Sequence, residues 1–200
     1  NPLPMTVEET AGAYSEYGLT TYHGKSFSLG VTSRGFGTQS DVCLVQYTRP
    51  GAARPGVLYT RYLLNDKWLG DTYHATDRTR SRNLADEGEF LGVQNGPRAI
   101  GFYTPGHIGS CTSAKAALIW TDRALVDEIW VGGRRIESLP AEIGREDVVV
   151  IGSGSVYMAV RPLTVTDLHR EAPFRLVENR GDLVLELYNY LGLEKRFWEL

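Results

Sequence analysis

Side chains alternate in character every second residue through much of this chain, and that period most restricts what the chain can become. The alternation runs for a full strand length in Val156-Tyr157-Met158-Ala159-Val160-Arg161 and in Asp182-Leu183-Val184-Leu185-Glu186-Leu187-Tyr188. A β-strand points successive side chains to opposite faces, so period two buries one face and wets the other. An amphipathic helix instead needs apolar residues three and four apart. No segment before residue 191 carries such a stripe over three turns. The β-branched run over 147–151 is followed by Gly152-Ser153-Gly154, so 147–162 reads as a hairpin whose glycines permit positive φ and whose second strand ends at Pro162.

The same reading predicts strands over 18–22, 26–32, 41–47, 57–64, 89–94, 99–104, 115–121 and 128–131. Gly132-Gly133 makes a tight turn into Arg134-Arg135-Ile136, and Asn179-Arg180-Gly181 joins 174–178 to the strand that starts at Asp182. Many short strands with almost no helix predict an all-β fold, a large antiparallel two-sheet sandwich. At 200 residues the chain is long enough for one sizeable core, and it reads as a single β-sandwich domain over 1–200. The Pro/Gly-rich stretch 49–56 reads as a surface loop between strands. Asn1 at the start and the apolar Phe197, Trp198 and Leu200 at the end read as two cut ends of a longer chain.

Charge narrows the function classes. A net charge of −3 argues against the basic footprint of a nucleic-acid or anionic-membrane partner. No stretch reaches the roughly 18–20 apolar residues of a membrane span, and no signal peptide opens the chain, so a soluble domain is expected. The only lysines are Lys25, Lys67, Lys115 and Lys195 against many arginines, a bias that fits a GC-rich, bacterial genome. Cys43 and Cys111 are either one disulfide or two buried thiols, and the strand context of Cys43 favours thiols.

Several constellations could carry chemistry. Tyr22 and His23 are a proton donor and acceptor side by side, followed closely by Arg34, Gln39 and Asp41 in a Gly-rich connection. Adjacent strand residues point to opposite faces, however, so the pair meets one substrate atom only across a bulge. Otherwise Tyr22 packs and His23 is solvated. Arg78, Arg80 and Arg82 alternate, and an extended backbone would line them along one face to grip carboxylates or sulfates of an acidic sugar chain. The competing reading is a solvated loop balanced by Asp77 and Asp86.

His23, His74, His107 and His169 are too scattered for a zinc motif, so no metal and no cofactor is expected. Gly152-Ser153-Gly154-Ser155 sits in a turn and not at a nucleophile elbow, and Gly35-Phe36-Gly37 is too short for a phosphate loop. Trp68, Trp120, Trp130 and Trp198 either stack on sugar rings if exposed or fill the core, and composition does not choose.

The order of features then matters. The run from Thr21 to Gly30 (Thr-Tyr-His-Gly-Lys-Ser-Phe-Ser-Leu-Gly), then Gln39-Ser40-Asp41, then Arg61-Tyr62-Leu63-Leu64-Asn65-Asp66-Lys67, and the late strands from Gly154 and Gly181 resemble the β-sandwich, or supersandwich, of heparinase-like (α/α)-toroid proteins. The resemblance implies an accessory β domain of a polysaccharide lyase or related glycan-processing protein, walling a substrate cleft. Its partners would be an acidic polysaccharide and a helical toroid domain of the same protein. Tyr22 and His23 are then the candidate catalytic pair, with Arg34, Gln39, Arg78, Arg80 and Arg82 as candidate substrate contacts. Since the family's chemistry sits mostly on the toroid, the isolated domain is expected to be inactive. A non-catalytic carbohydrate-binding or structural sandwich is the alternative, and a secreted or periplasmic setting is expected.

Overall fold

The computed structural model describes residues 3–10, 18–35, 42–64, 88–105, 113–163 and 174–190. Among them the chain forms β1 (Met5–Thr10), β2 (Gly18–His23), β3 (Phe27–Thr32), β4 (Cys43–Tyr47), β5 (Gly56–Leu64), β6 (Gly88–Asn95), β7 (Arg98–Pro105) and β8 (Ala114–Trp120). A 3-10 turn at Arg123–Leu125 leads to β9 (Glu128–Val131), β10 (Arg134–Arg135), β11 (Ala141–Ile143), β12 (Val149–Ser153), β13 (Val156–Val160), β14 (Phe174–Asn179) and β15 (Asp182–Tyr190). Every pairing between these strands is antiparallel, and no α-helix occurs among the described residues. The fold is all-β and sandwich-like, as the alternation predicts.

A nine-stranded sheet runs β1-β2-β3-β4-β5-β8-β15-β14-β11, and a four-stranded sheet runs β10-β9-β12-β13. The inner face of the large sheet presents Leu29, Val31, Val45, Leu58, Trp120, Leu183, Leu185 and Leu176, all buried. Against them the small sheet sets Ile129, Val131, Val149, Ile151, Val156 and Met158. These are the apolar positions of the period-two pattern, and removing each from water stabilises the fold by about 1.5–3 kcal/mol at most.

Two strands escape the sequence reading. Among the described residues β1, with acidic Glu8 and Glu9, pairs only with β2, so it is an edge there whose charges discourage pairing with another chain. β11 is three residues long and begins directly after Pro140, which has no N–H to offer a ladder.

The hairpin of β6 and β7 covers another part of the large sheet's inner face. Its Phe90 ring lies beneath the cross-strand glycines Gly92 and Gly101, where a Cβ would stand 2.6 and 2.7 Å from ring atoms. Gln94 donates to the Leu29 carbonyl at 2.9 Å, and the Tyr103 hydroxyl meets Thr60 Oγ1 at 2.9 Å. The two sheets are tied at one end by Arg49, which donates to the Leu125 carbonyl at 2.8 Å and pairs with Asp127 at 2.6 Å. Asp127 in turn accepts from the Gly154 N–H at 2.7 Å, at a turn where that glycine has φ of 58°. Cys43 is a free thiol, and burial pushes it up to about 11, so it stays protonated at neutral pH.

Candidate functional site

Tyr22 and His23 lie on opposite faces of the large sheet. Tyr22 is on the inner face, its ring tilted against Phe27 with centroids 5.5 Å apart, whereas His23 is on the outer face with Nδ1 3.0 Å from Ser28 Oγ. The pleat separates them, since no bulge interrupts the pairing of β2 with β3. Arg34 sits just after β3, bridged through its backbone to Leu91 of β6. Gln39, Arg78, Arg80 and Arg82 lie outside the described residues, as do His74, His107 and His169.

The outer face of the large sheet is charged at its centre. Arg61, Ala117, Glu186 and Arg175 form one cross-strand row over β5, β8, β15 and β14, with Lys115 opposite Tyr188 one step along. Lys115 donates to Glu186 Oε1 at 2.9 Å and to the Tyr188 hydroxyl at 3.2 Å, and both members of that ion pair have side chains only 1% exposed. Arg175 bonds the other oxygen of Glu186 and reaches the Tyr188 hydroxyl at 3.1 Å. Burial raises the Tyr188 pKa, with Lys115 pulling against it, so the phenol stays neutral at physiological pH. The sealed Lys115–Glu186 pair holds strands in register, whereas Arg175 is half exposed and reaches solvent.

Beyond Pro140 the pairing of β11 with β14 stops. A cleft of about 570 Å³ opens there, lined by Ile136, Ser138, Arg175, Val177 and Asn179 among others.

The exposed chemistry gathers on the outer face of the small sheet. Because Ile129 and Val131 point into the core, Glu128 and Trp130 must point away from it. The register sets Glu128, Gly152 and Tyr157 in one row and Arg135, Trp130, Val150 and Ala159 in the next. Glu128 joins the two aromatic residues: Trp130 Nε1 donates to its Oε2 at 2.9 Å, and the Tyr157 hydroxyl donates to its Oε1 at 2.6 Å.

A bond to a residue two positions earlier lays the indole along the strand. Between the other two partners a Cβ on Gly152 would stand 2.7 Å from Glu128 Cγ and 3.0 Å from Tyr157 Cε1. The bare glycine therefore lets them close over it.

The hydrogen bonds from Tyr157 and Trp130 hold the Glu128 carboxyl below the usual glutamate range, and the same carboxylate pushes the Tyr157 phenol up. At neutral pH the group is one carboxylate fixed by two neutral donors. Each carboxylate oxygen keeps a lone pair for an incoming donor. Tyr157 is 60% exposed, and Val150 and Ala159 are too small to wall it off.

The sequence carried a sign of this cluster. Glu128 and Trp130 share a strand face opposite two apolar residues, which a strand over 128–131 already implies. That Tyr157 stands across Gly152 from Glu128 depends on the pairing of three strands. No family model, no curated protein and no solved structure matches the chain.

Proposed function

We propose that this β-sandwich is a glycan-contacting domain of a carbohydrate-active protein, a polysaccharide lyase or a relative, and that it binds the sugar chain without cleaving it. The observation that carries this reading is the Trp130–Glu128–Tyr157 group on an open sheet face. A pyranose ring presents an apolar C–H face and a rim of hydroxyls. A fixed indole and phenol offer flat apolar surface to the first, while a carboxylate with spare lone pairs accepts from the second. Side chains already locked by hydrogen bonds lose little rotamer freedom on binding.

The opposed orientations of Tyr22 and His23 speak for binding over catalysis by that pair. A helical toroid partner, and substrate contacts from Arg34, Gln39, Arg78, Arg80 and Arg82, belong to this proposal as its wider setting.

Calorimetric titration of the chain with a panel of neutral and acidic polysaccharides tests the reading. At least one member should bind, and Trp130→Ala should lower its affinity about ten-fold or more, the loss expected when a stacked aromatic anchor is truncated. Binding that ignores Trp130→Ala and Tyr157→Ala would remove the site from the function.

A further inference from the structure

The β6–β7 hairpin buries one face and leaves the other bare. Phe90, Gln94 and Tyr103 turn toward the sandwich, whereas Leu91, Val93, Ile100 and Phe102 point outward with exposures of 41, 68, 57 and 55%. Leu91 stands opposite Phe102 and Val93 opposite Ile100, so the four make one contiguous two-by-two apolar block. On the same face the block is flanked by Glu89 and Thr104 at the base and by Asn95 and Arg98 at the turn, all exposed. The hairpin thus carries an acid at one end, a base at the other and an apolar centre.

We propose that this face is a self-association surface on which a second copy of the chain packs, related by a twofold axis that crosses the strands at the Gly92–Gly101 pair. Such a rotation reverses strand direction. Leu91 then lies over the second copy's Val93, and Phe102 over its Ile100. Glu89 comes beside Arg98 of the other copy, which lies over Thr104. A twofold along the strands would instead gather the two Glu89 carboxylates at one end and the two Arg98 guanidiniums at the other, so the charge pattern selects the reversed arrangement.

The block offers a few hundred Å² of apolar surface, on the order of half of the roughly 800 Å² per partner that a standard interface buries. The dimer is therefore weak, and its population depends on concentration.

Sedimentation velocity over three decades of concentration tests the proposal. The mass should rise from that of one chain toward that of two. Val93→Glu, at a site too exposed to disturb the fold, should abolish the rise, with an unchanged circular dichroism spectrum as the control. Glu89→Arg and Arg98→Glu should each weaken association about ten-fold, and the two together should restore it. A single-chain mass at every concentration overturns the proposal, whether another stretch of the chain covers the face or the chain instead floats with neutral phosphatidylcholine vesicles. Association that persists in Val93→Glu, or a double reversal that fails to restore it, overturns it equally.

Discussion

Glu128 shows how a single carboxylate can organise a surface. Its pKa is lowered, first by the Tyr157 hydrogen bond and then by that of Trp130, so its ionised form is favoured in the folded chain. A depressed carboxyl contributes fully above its unfolded value, about 4.3, and loses that contribution as pH falls through the lower folded value. Tyr157 has the opposite sign: its pKa is raised, so its neutral donor form is held beyond about pH 10. Glycan affinity should therefore stay level from about pH 4.3 to about pH 10, falling only below the ordinary glutamate value as Glu128 protonates and only above the ordinary tyrosine value as Tyr157 ionises. Titrations across pH check this, and Glu128→Gln should weaken binding at neutral pH and erase the acid limb. A wild-type acid limb that survives in Glu128→Gln would place the titrating group elsewhere. Trp130 was legible in the sequence as an aromatic residue on a strand, but its half-buried place on the outer face became definite only when its neighbours Ile129 and Val131 were found in the core.

At the level of strands and hairpins, alternation and turn residues located most of the β-structure. Gly132 and Gly133 have φ of 54° and 78°, the positive values that a two-residue turn between β9 and β10 requires and that composition anticipates. β5 shows the limit of that logic. Its Leu58–Leu63 segment is buried almost throughout, because the outer face of β5, β8 and β15 carries its own apolar cluster of Tyr59, Leu63, Ala117, Ile119 and Val184. A strand covered on both faces has no reason to alternate. The β6–β7 hairpin adds a constraint that a sequence pattern does not display, since Gly92 and Gly101 are bare because the Phe90 ring occupies the space of their side chains. Gly101→Ala should cost about 1–3 kcal/mol by overpacking, read as a lower midpoint in urea unfolding with an unchanged slope. Phe90→Leu should recover part of that loss in the double variant, and strict additivity of the two changes would refute the contact.

For the whole molecule, the decisive interactions cross the centre of the large sheet. Lys115 and Glu186 come from strands far apart in the chain and meet at 2.9 Å out of reach of water. Glu186→Ala would leave Lys115 buried beside lost compensation and should cost about 3–5 kcal/mol, whereas Lys115→Met combined with Glu186→Met should recover much of it, because the apolar pair leaves no buried charge and the half-exposed Arg175 is hydrated. Chemical unfolding of the two variants beside the wild type checks the order, and a double variant no better than Glu186→Ala would overturn it. In the sequence Lys115 is one more polar residue in a predicted strand, and Glu186 looks like the wet half of an alternation. Local pattern determined that this chain is all-β, where most strands run and which turns take glycine, because strand pleat and turn dihedrals depend on neighbours in sequence. Only tertiary structure decided which side of each strand is covered, that Tyr22 and His23 are parted by a sheet, and that Glu128, Trp130 and Tyr157 come together on an open face. Those outcomes depend on strand register and on which faces stack, and the residues that set them are distant in the chain.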